Sequence, residues 1–196
     1  MKKISNALLA GLAALGCVTW AAAAESGPRA IDSAHSSLKV RVLKSGVFSA
    51  FAHNHEIEAP IESGEVTAAG NPSVELRVDA RKMSVLDPEA SADTRAQVQK
   101  TMLGPQVLDT ERFSEIHFQS TEVEAKGVDR WVIHGKLDLH GQSHPVTVDV
   151  SLKDGIYRGT AALKQTEFGM KPVTVAGGTV KVKDEIKVEF AIALMK

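Results

Sequence analysis

Trp131-Val132-Ile133-His134-Gly135-Lys136-Leu137-Asp138-Leu139-His140-Gly141-Gln142-Ser143-His144-Pro145-Val146-Thr147-Val148-Asp149-Val150 alternates apolar and polar residues on either side of a turn-forming centre. Successive side chains of a strand point to opposite faces. Trp131, Ile133, Leu137 and Leu139 therefore share one face, and Val132, His134, Lys136 and Asp138 the other. Beyond a turn at residues 141–144, Val146, Val148 and Val150 face one way and Thr147, Asp149 and Ser151 the other. Two such runs joined by a glycine-containing turn make an antiparallel hairpin with one buried face.

The same period extends outward in both directions. Upstream, Ile116, Phe118 and Ser120 oppose His117 and Gln119, with a turn at residues 126–129. Val74, Leu76 and Val78 alternate with Glu75, Arg77 and Asp79, and Leu38, Val40 and Val42 with Lys39 and Arg41. Residues 62–68 read as a further strand, followed by the Gly70-Asn71-Pro72 turn. Downstream, Lys153-Asp154-Gly155 turns the chain into a strand over residues 157–166, and residues 168–178 read as a loop. Val180 and Val182 open a last hairpin, turned by Lys183-Asp184-Glu185 and closed by Ile186, Val188, Phe190, Ile192 and Leu194.

One segment breaks the period. Asp87-Pro88-Glu89 supplies a helix cap, a first-turn proline and a first-turn acid, so a helix is expected over residues 90–103, stopped by Gly104-Pro105. Its apolar stripe, Ala92, Val98, Met102 and Leu103, is narrow, which suits a surface lid better than a core helix. A second helical turn is expected at residues 106–108. Eight or more strands on short turns with one helical insertion describe an all-β antiparallel barrel or sandwich.

The first 24 residues form a separate unit. Met-Lys-Lys precedes an uncharged apolar run from Ile4 to Trp20, and Ala22-Ala23-Ala24 precedes Glu25. This is the layout of a secretory signal peptide cut after Ala24, leaving one domain over residues 25–196 with no membrane span. Cys17, the sole cysteine, leaves with that segment; its alternative use as an acylated lipoprotein cysteine fits a poorer motif. The remaining chain has no disulfide chemistry and must be held by its core and hydrogen bonds. Removing Lys2 and Lys3 leaves 21 basic and 24 acidic residues, a formal charge of −3. No clustered basic face offers a nucleic-acid footprint.

Gly46-Val47-Phe48-Ser49-Ala50-Phe51-Ala52-His53-Asn54-His55-Glu56-Ile57-Glu58-Ala59-Pro60 places Phe51, His53, His55 and Ile57 on one strand face. Glu56 and Glu58 on the other face prefer water, so the histidines are expected to point inward, where buried polar groups need partners. Pro60 is expected to end the strand.

Three segments together resemble the YceI-like, polyisoprenoid-binding family. They are Ile31-Asp32-x-x-His35-Ser36-Ser37, then residues 113–120 (Phe-Ser-Glu-Ile-His-Phe-Gln-Ser), then Gly135-Lys136-Leu137-Asp138-Leu139-His140-Gly141 followed by Pro145-Val146. The resemblance runs from Ala30 to Leu194. It implies a lipocalin-like, eight-stranded antiparallel barrel with a helical segment near one opening. It also implies an elongated apolar pocket for an isoprenoid or similar amphipathic lipid, such as a polyprenyl quinone or polyprenyl phosphate. A periplasmic location and homodimerisation are common in the family. Gly46-Val47-Phe48-Ser49-Ala50-Phe51 keeps a G-x-F-x-x-F shape, whereas the histidines that follow depart from the commoner pattern.

The residues expected to line the interior are Val40, Val42, Phe51, Leu76, Val78, Phe118, Ile133, Leu137, Val148, Leu163, Val188 and Phe190. Alternation by itself is equally compatible with a solid core. For His53 and His55 three readings stand: structural histidines satisfied by neighbours, donors to a lipid headgroup, or a metal or haem ligand pair. Asp32 and His35 are expected to meet across a turn, and His140 and His144 to lie solvated in a hairpin turn. Catalysis finds no nucleophile elbow, zincin motif or P-loop, and Asp87, Asp93 and Asp109 beside the helix are accounted for by capping and solvation. A binding protein for an amphipathic lipid is therefore expected, with metal or haem binding through His53 and His55 as the alternative.

Overall fold

The computed structural model describes residues 27–45, 54–175 and 180–196. The leader over residues 1–24, with Cys17, lies outside the described residues, as do Phe51 and His53. The alternation of the quoted stretch becomes strands β8 (Arg130–Leu139) and β9 (Gln142–Lys153), paired from Arg130↔Ser151 to Leu139↔Gln142. The hairpin closes over two residues, His140 and Gly141, with φ of 52° and 72°. Positive φ at both central positions matches the strand twist, which is why a glycine stands second. Asp154 and Gly155, at 54° and 76°, repeat the device between β9 and β10 (Ile156–Lys164).

The other strands are β1 (Arg29–Ala30), β2 (Ser37–Ser45), β3 (His55–Glu58), β4 (Ile61–Thr67), β5 (Ser73–Asp79), β6 (Ser84–Val85), β7 (Glu115–Ala125), β11 (Thr174–Val175) and β12 (Val180–Ile192). All pairings are antiparallel, and the strands form one curled sheet in the order β1-β4-β5-β7-β8-β9-β10-β12-β2-β3-β6, with β11 attached to β12. The far parts of this order are tied together twice. Only Ala59 and Pro60 separate β3, which pairs with β2, from β4, which pairs with β5. At the opposite rim, Ile31 forms a bridge with Leu194 while donating its N–H to Gly64 O at 2.9 Å, so the chain end after β12 is stitched to β4. Among the described residues the count is twelve strands, three of them of two residues.

The helix α1 (Ala92–Leu103) begins later than expected. Its cap is Ser91, whose Oγ accepts the N–H of Thr94 at 3.2 Å. Asp87 is drawn away from capping: it is buried against β3, and residues 87–90 form a turn closed by Ala90 N–H to Asp87 O at 3.0 Å. Residues 106–108 form a bonded turn in place of helix, with Val107 N–H on Gly104 O at 3.1 Å.

The expected last hairpin is a single strand. β12 runs unbroken, and Lys183-Asp184-Glu185 is a bulge, the pairing with β2 jumping from Val182↔Lys44 to Ile186↔Val42. The bulge is held by the irregular segment after β10. Gln165 Nε2 donates to Lys183 O at 2.8 Å, and Asp184 accepts from Thr166 N–H at 2.9 Å and Thr166 Oγ1 at 2.7 Å. His140 and His144 are half-buried, contrary to expectation. The His140 ring nitrogen Nδ1 bonds Phe168 O at 2.9 Å, and the His144 ring packs edge-on against Phe168 with centroids 5.2 Å apart. Phe168, only 1 % exposed, recruits both.

The buried apolar residues divide into two groups. One gathers Ile57, Ala59, Val78, Met83, Met102, Leu108, Leu163 and Phe168 with their neighbours; the other is Ile133, Val148 and Val150, against which Trp131, Tyr157, Phe118 and Phe190 pack.

Candidate functional site: an apolar cavity inside the sheet

The concave face of the sheet, lined by members of both groups, encloses about 250 Å³ of free space. Every wall strand contributes inward residues to it at period 2: Leu38, Val40 and Val42 from β2, Val74, Leu76 and Val78 from β5, Ile116 and Phe118 from β7. β8 gives Trp131, Ile133, Leu137 and Leu139, and β9 gives Val146, Val148 and Val150. Tyr157, Ala161 and Leu163 of β10 and Ile186, Val188, Phe190 and Ile192 of β12 complete the wall. Polar side chains are few: Thr67, Ser73 and Gln165, besides the Tyr157 hydroxyl.

The two ends differ. Toward α1 the cavity ends on Met83, Met102, Leu108 and Met170, all buried. Toward the β4–β5 turn it is bounded by Ala68, Pro72 and Ser73, all exposed, with half-buried Trp131 and Tyr157 beside them at a ring separation of 5.9 Å. Among the described residues the helix side is thus the floor, and the turn side the mouth. Methionine suits a floor, because its flexible thioether fills irregular space.

Of the sequence-predicted lining residues, Val40, Val42, Leu76, Val78, Phe118, Ile133, Leu137, Val148, Leu163, Val188 and Phe190 all meet in this wall. Phe51 and His53 lie outside the described residues. His55 is placed elsewhere: it is absent from the lining, and its ring Nδ1 bonds Asp87 Oδ2 at 2.5 Å. The other oxygen of Asp87, Oδ1, accepts the N–H of Glu56 at 2.8 Å. Asp87 is 2 % exposed in its side chain, so this buried carboxylate has both oxygens satisfied, as burial requires. The pair ties β3 to the segment leading into α1, where Arg95 also donates to Ala90 O at 2.5 Å. Among the described residues no group of three or more His, Cys, Asp or Glu side chains could hold a metal ion. Asp32 and His35 meet as expected, Asp32 Oδ2 taking the His35 ring Nδ1 at 2.8 Å in an exposed turn. That hydrogen bond lowers the Asp32 pKa.

Sequence reasoning missed the floor. Met83, Leu108 and Met170 stand in irregular segments where no period marks an inward direction. Trp131, Tyr157 and Ala161 could have been found, since they share the inward phase of β8 and β10 with residues that were.

The sequence model described as the YceI-like domain matches residues 30–194. A UPF0312 protein of Vibrio cholerae serotype O1 is 26% identical over 200 residues, covering 96% of this chain and 98% of its own length. Among solved structures, Burkholderia cenocepacia BcnA superposes with a TM-score of 0.62 at 17% identity, over 85% of this chain and 99% of that one. A mutant YCEI protein, solved with a monobromobimane guest, gives 0.51 at 12% identity, over 78% and 84%. At these identities the structures share the fold.

Proposed function

The chain belongs to the YceI-like domain family, and on that premise we propose that it binds an isoprenoid or similar amphipathic lipid inside its sheet, as a carrier or store and without catalysis. The observation that carries this reading is the cavity, about 250 Å³ of free space walled almost wholly by aliphatic and aromatic side chains. Among the described residues the wall carries Thr67, Ser73, Gln165 and Tyr157 as its polar side chains and no charged one to meet an ionic ligand. A hydrocarbon chain gains ~0.8 kcal/mol for each CH₂ it removes from water, so affinity accrues along its length. The tail enters past Trp131 and Tyr157 and runs toward the methionine floor, leaving a polar headgroup at the mouth. In this reading the wall counts as eight positions, β3 and β4 acting as one bent strand beside β5, β7, β8, β9, β10, β12 and β2, as in a lipocalin-like barrel. Residues 1–24 act as a removable export leader, and the single domain that follows works in the periplasm. No helix of the described residues is long and apolar enough to cross a membrane.

Native mass spectrometry of the protein purified from its own cells, followed by lipid extraction, tests the proposal. A bound polyprenyl species, replaceable by added polyprenol with a change in Trp131 fluorescence, is expected. A protein that is empty from cells and refuses polyprenols and polyprenyl quinones in vitro would overturn it.

A further inference from the structure

The middle of the cavity wall contains two inward-facing strand glycines, each covered by a phenylalanine ring. Gly135 lies between Ile133 and Leu137 on β8, in the inward phase. A Cβ built on it would sit 2.5 Å from both Cε2 and Cζ of Phe118. Gly159 lies between Tyr157 and Ala161 on β10, directly opposite Phe190 on β12. A Cβ there would sit 2.5 Å from Phe190 Cζ. Both distances are shorter than a carbon–carbon contact permits. Each ring therefore occupies the space that the neighbour's side chain would fill, and lies against the wall.

Phe118 and Phe190 both pack on Ile133, Val148 and Val150, and Phe190 also packs on the larger buried group. Both rings line the cavity. Were either ring turned away from its glycine, it would project into that space. Ala161, next inward residue after Gly159, keeps the adjoining wall equally low and lines the cavity itself. Strand glycines cost stability and are found where another group approaches closely. Here both a ring and a backbone carbonyl oxygen of the neighbouring strand approach.

We propose that Gly135, Gly159 and Ala161 set the bore of the cavity, and with it the length of chain that can pass from mouth to floor. The inference rests on the lipid-binding reading and names the residues that give it chain-length selectivity. The glycines recess Phe118 and Phe190, so the rings serve as wall and the floor stays reachable. With a side chain at either glycine, the rings close the waist, and a ligand is confined to the half next to Trp131.

The experiment is a titration of geraniol, farnesol and geranylgeraniol, a series of rising chain length, followed by Trp131 fluorescence and calorimetry. Gly135→Ala and Gly159→Ala should hold geraniol as the native protein does and bind geranylgeraniol about a hundredfold more weakly, because the far half of the chain loses its apolar burial. Adding Phe118→Ala to the first and Phe190→Ala to the second should restore geranylgeraniol. A Cβ at these glycines also approaches the carbonyl oxygens of Gln119 and Asp149, at 2.6 and 2.3 Å, so either variant can fail to fold. Ala161→Leu narrows the same bore from an ordinary strand position and should show the same selective loss of geranylgeraniol. Folded variants that bind the whole series like the native protein would overturn the bore assignment and leave lipid binding standing. A native protein that binds none of the three would overturn the lipid reading itself.

Discussion

Asp79 shows how one carboxylate organises the exit from β5. Its Oδ1 accepts the backbone N–H of Arg81 at 3.0 Å and Arg81 Nε at 2.8 Å, and its Oδ2 accepts the other guanidinium nitrogen at 2.8 Å. The Arg81 side chain, before any other neighbour, lowers the Asp79 pKa to about 2 from an ordinary 3.8. A carboxyl whose folded pKa is depressed adds stability above its unfolded pKa and loses it as pH falls through the folded value. The Asp79 contribution is thus complete near neutrality and disappears between roughly pH 4 and pH 2. Asp79→Asn should lower the urea midpoint at pH 7 and flatten its fall across that window. An unchanged slope in the variant would show that Asp79 is not part of the acid response. Glu75 and Asp138, which flank His117 on the outer face, have lowered pKa values too, Glu75 through Arg77 first and Asp138 through Ser143 first. They are exposed and would supply the slope that remains. Asp79 sits in a local pattern, two residues from its arginine. Asp87 does not: its partner His55 is 32 residues away, so nothing beside Asp87-Pro88-Glu89 distinguishes a buried anchor from a helix cap.

At the scale of elements, α1 raises the question of what fastens so polar a helix. Met102 is its only buried residue. The fastening is an amide. Gln99 Oε1 accepts the N–H of Val85 at 2.8 Å, and Gln99 Nε2 donates to Met83 O at 2.8 Å. The side chain thereby satisfies backbone groups on both sides of Ser84, as a pairing strand would, and covers the exposed edge of β6. Gln99→Ala should cost about 1–3 kcal/mol in denaturant titrations, since it strands two backbone groups. It should also speed amide exchange at Val85 while leaving β8 and β9 protected. Unchanged exchange at Val85 would mean that the helix is fastened instead by the packing of Met102 and Leu103 and by the bonds of Thr110 to Leu103 O. The strands were readable because burial of one face forces alternation, and β8, β9 and β5 follow it closely. β12 was not, because Lys183-Asp184-Glu185 has the composition of a turn; its role as a bulge depends on Gln165 and Thr166 in the preceding segment.

At the scale of the whole molecule, the sheet class and the wall residues were legible, but the space they enclose was not. An inward valine reads the same whether it touches another valine or a void. Size supplied no warning either, since a barrel of this circumference can be filled by its own side chains. One feature keeps it from filling: the rings recessed over Gly135 and Gly159. The hollow has a mechanical consequence. Unfolding collapses internal voids into solvent, and pressure favours the state of smaller volume. The lipid-free protein should therefore denature at markedly lower hydrostatic pressure than the lipid-loaded form, with a larger volume decrease, as followed by Trp131 emission under compression. Equal pressure midpoints for the two forms would mean that the cargo does not occupy the void. On the proposed carrier reading, emptiness would then be the protein's mechanically weakest moment.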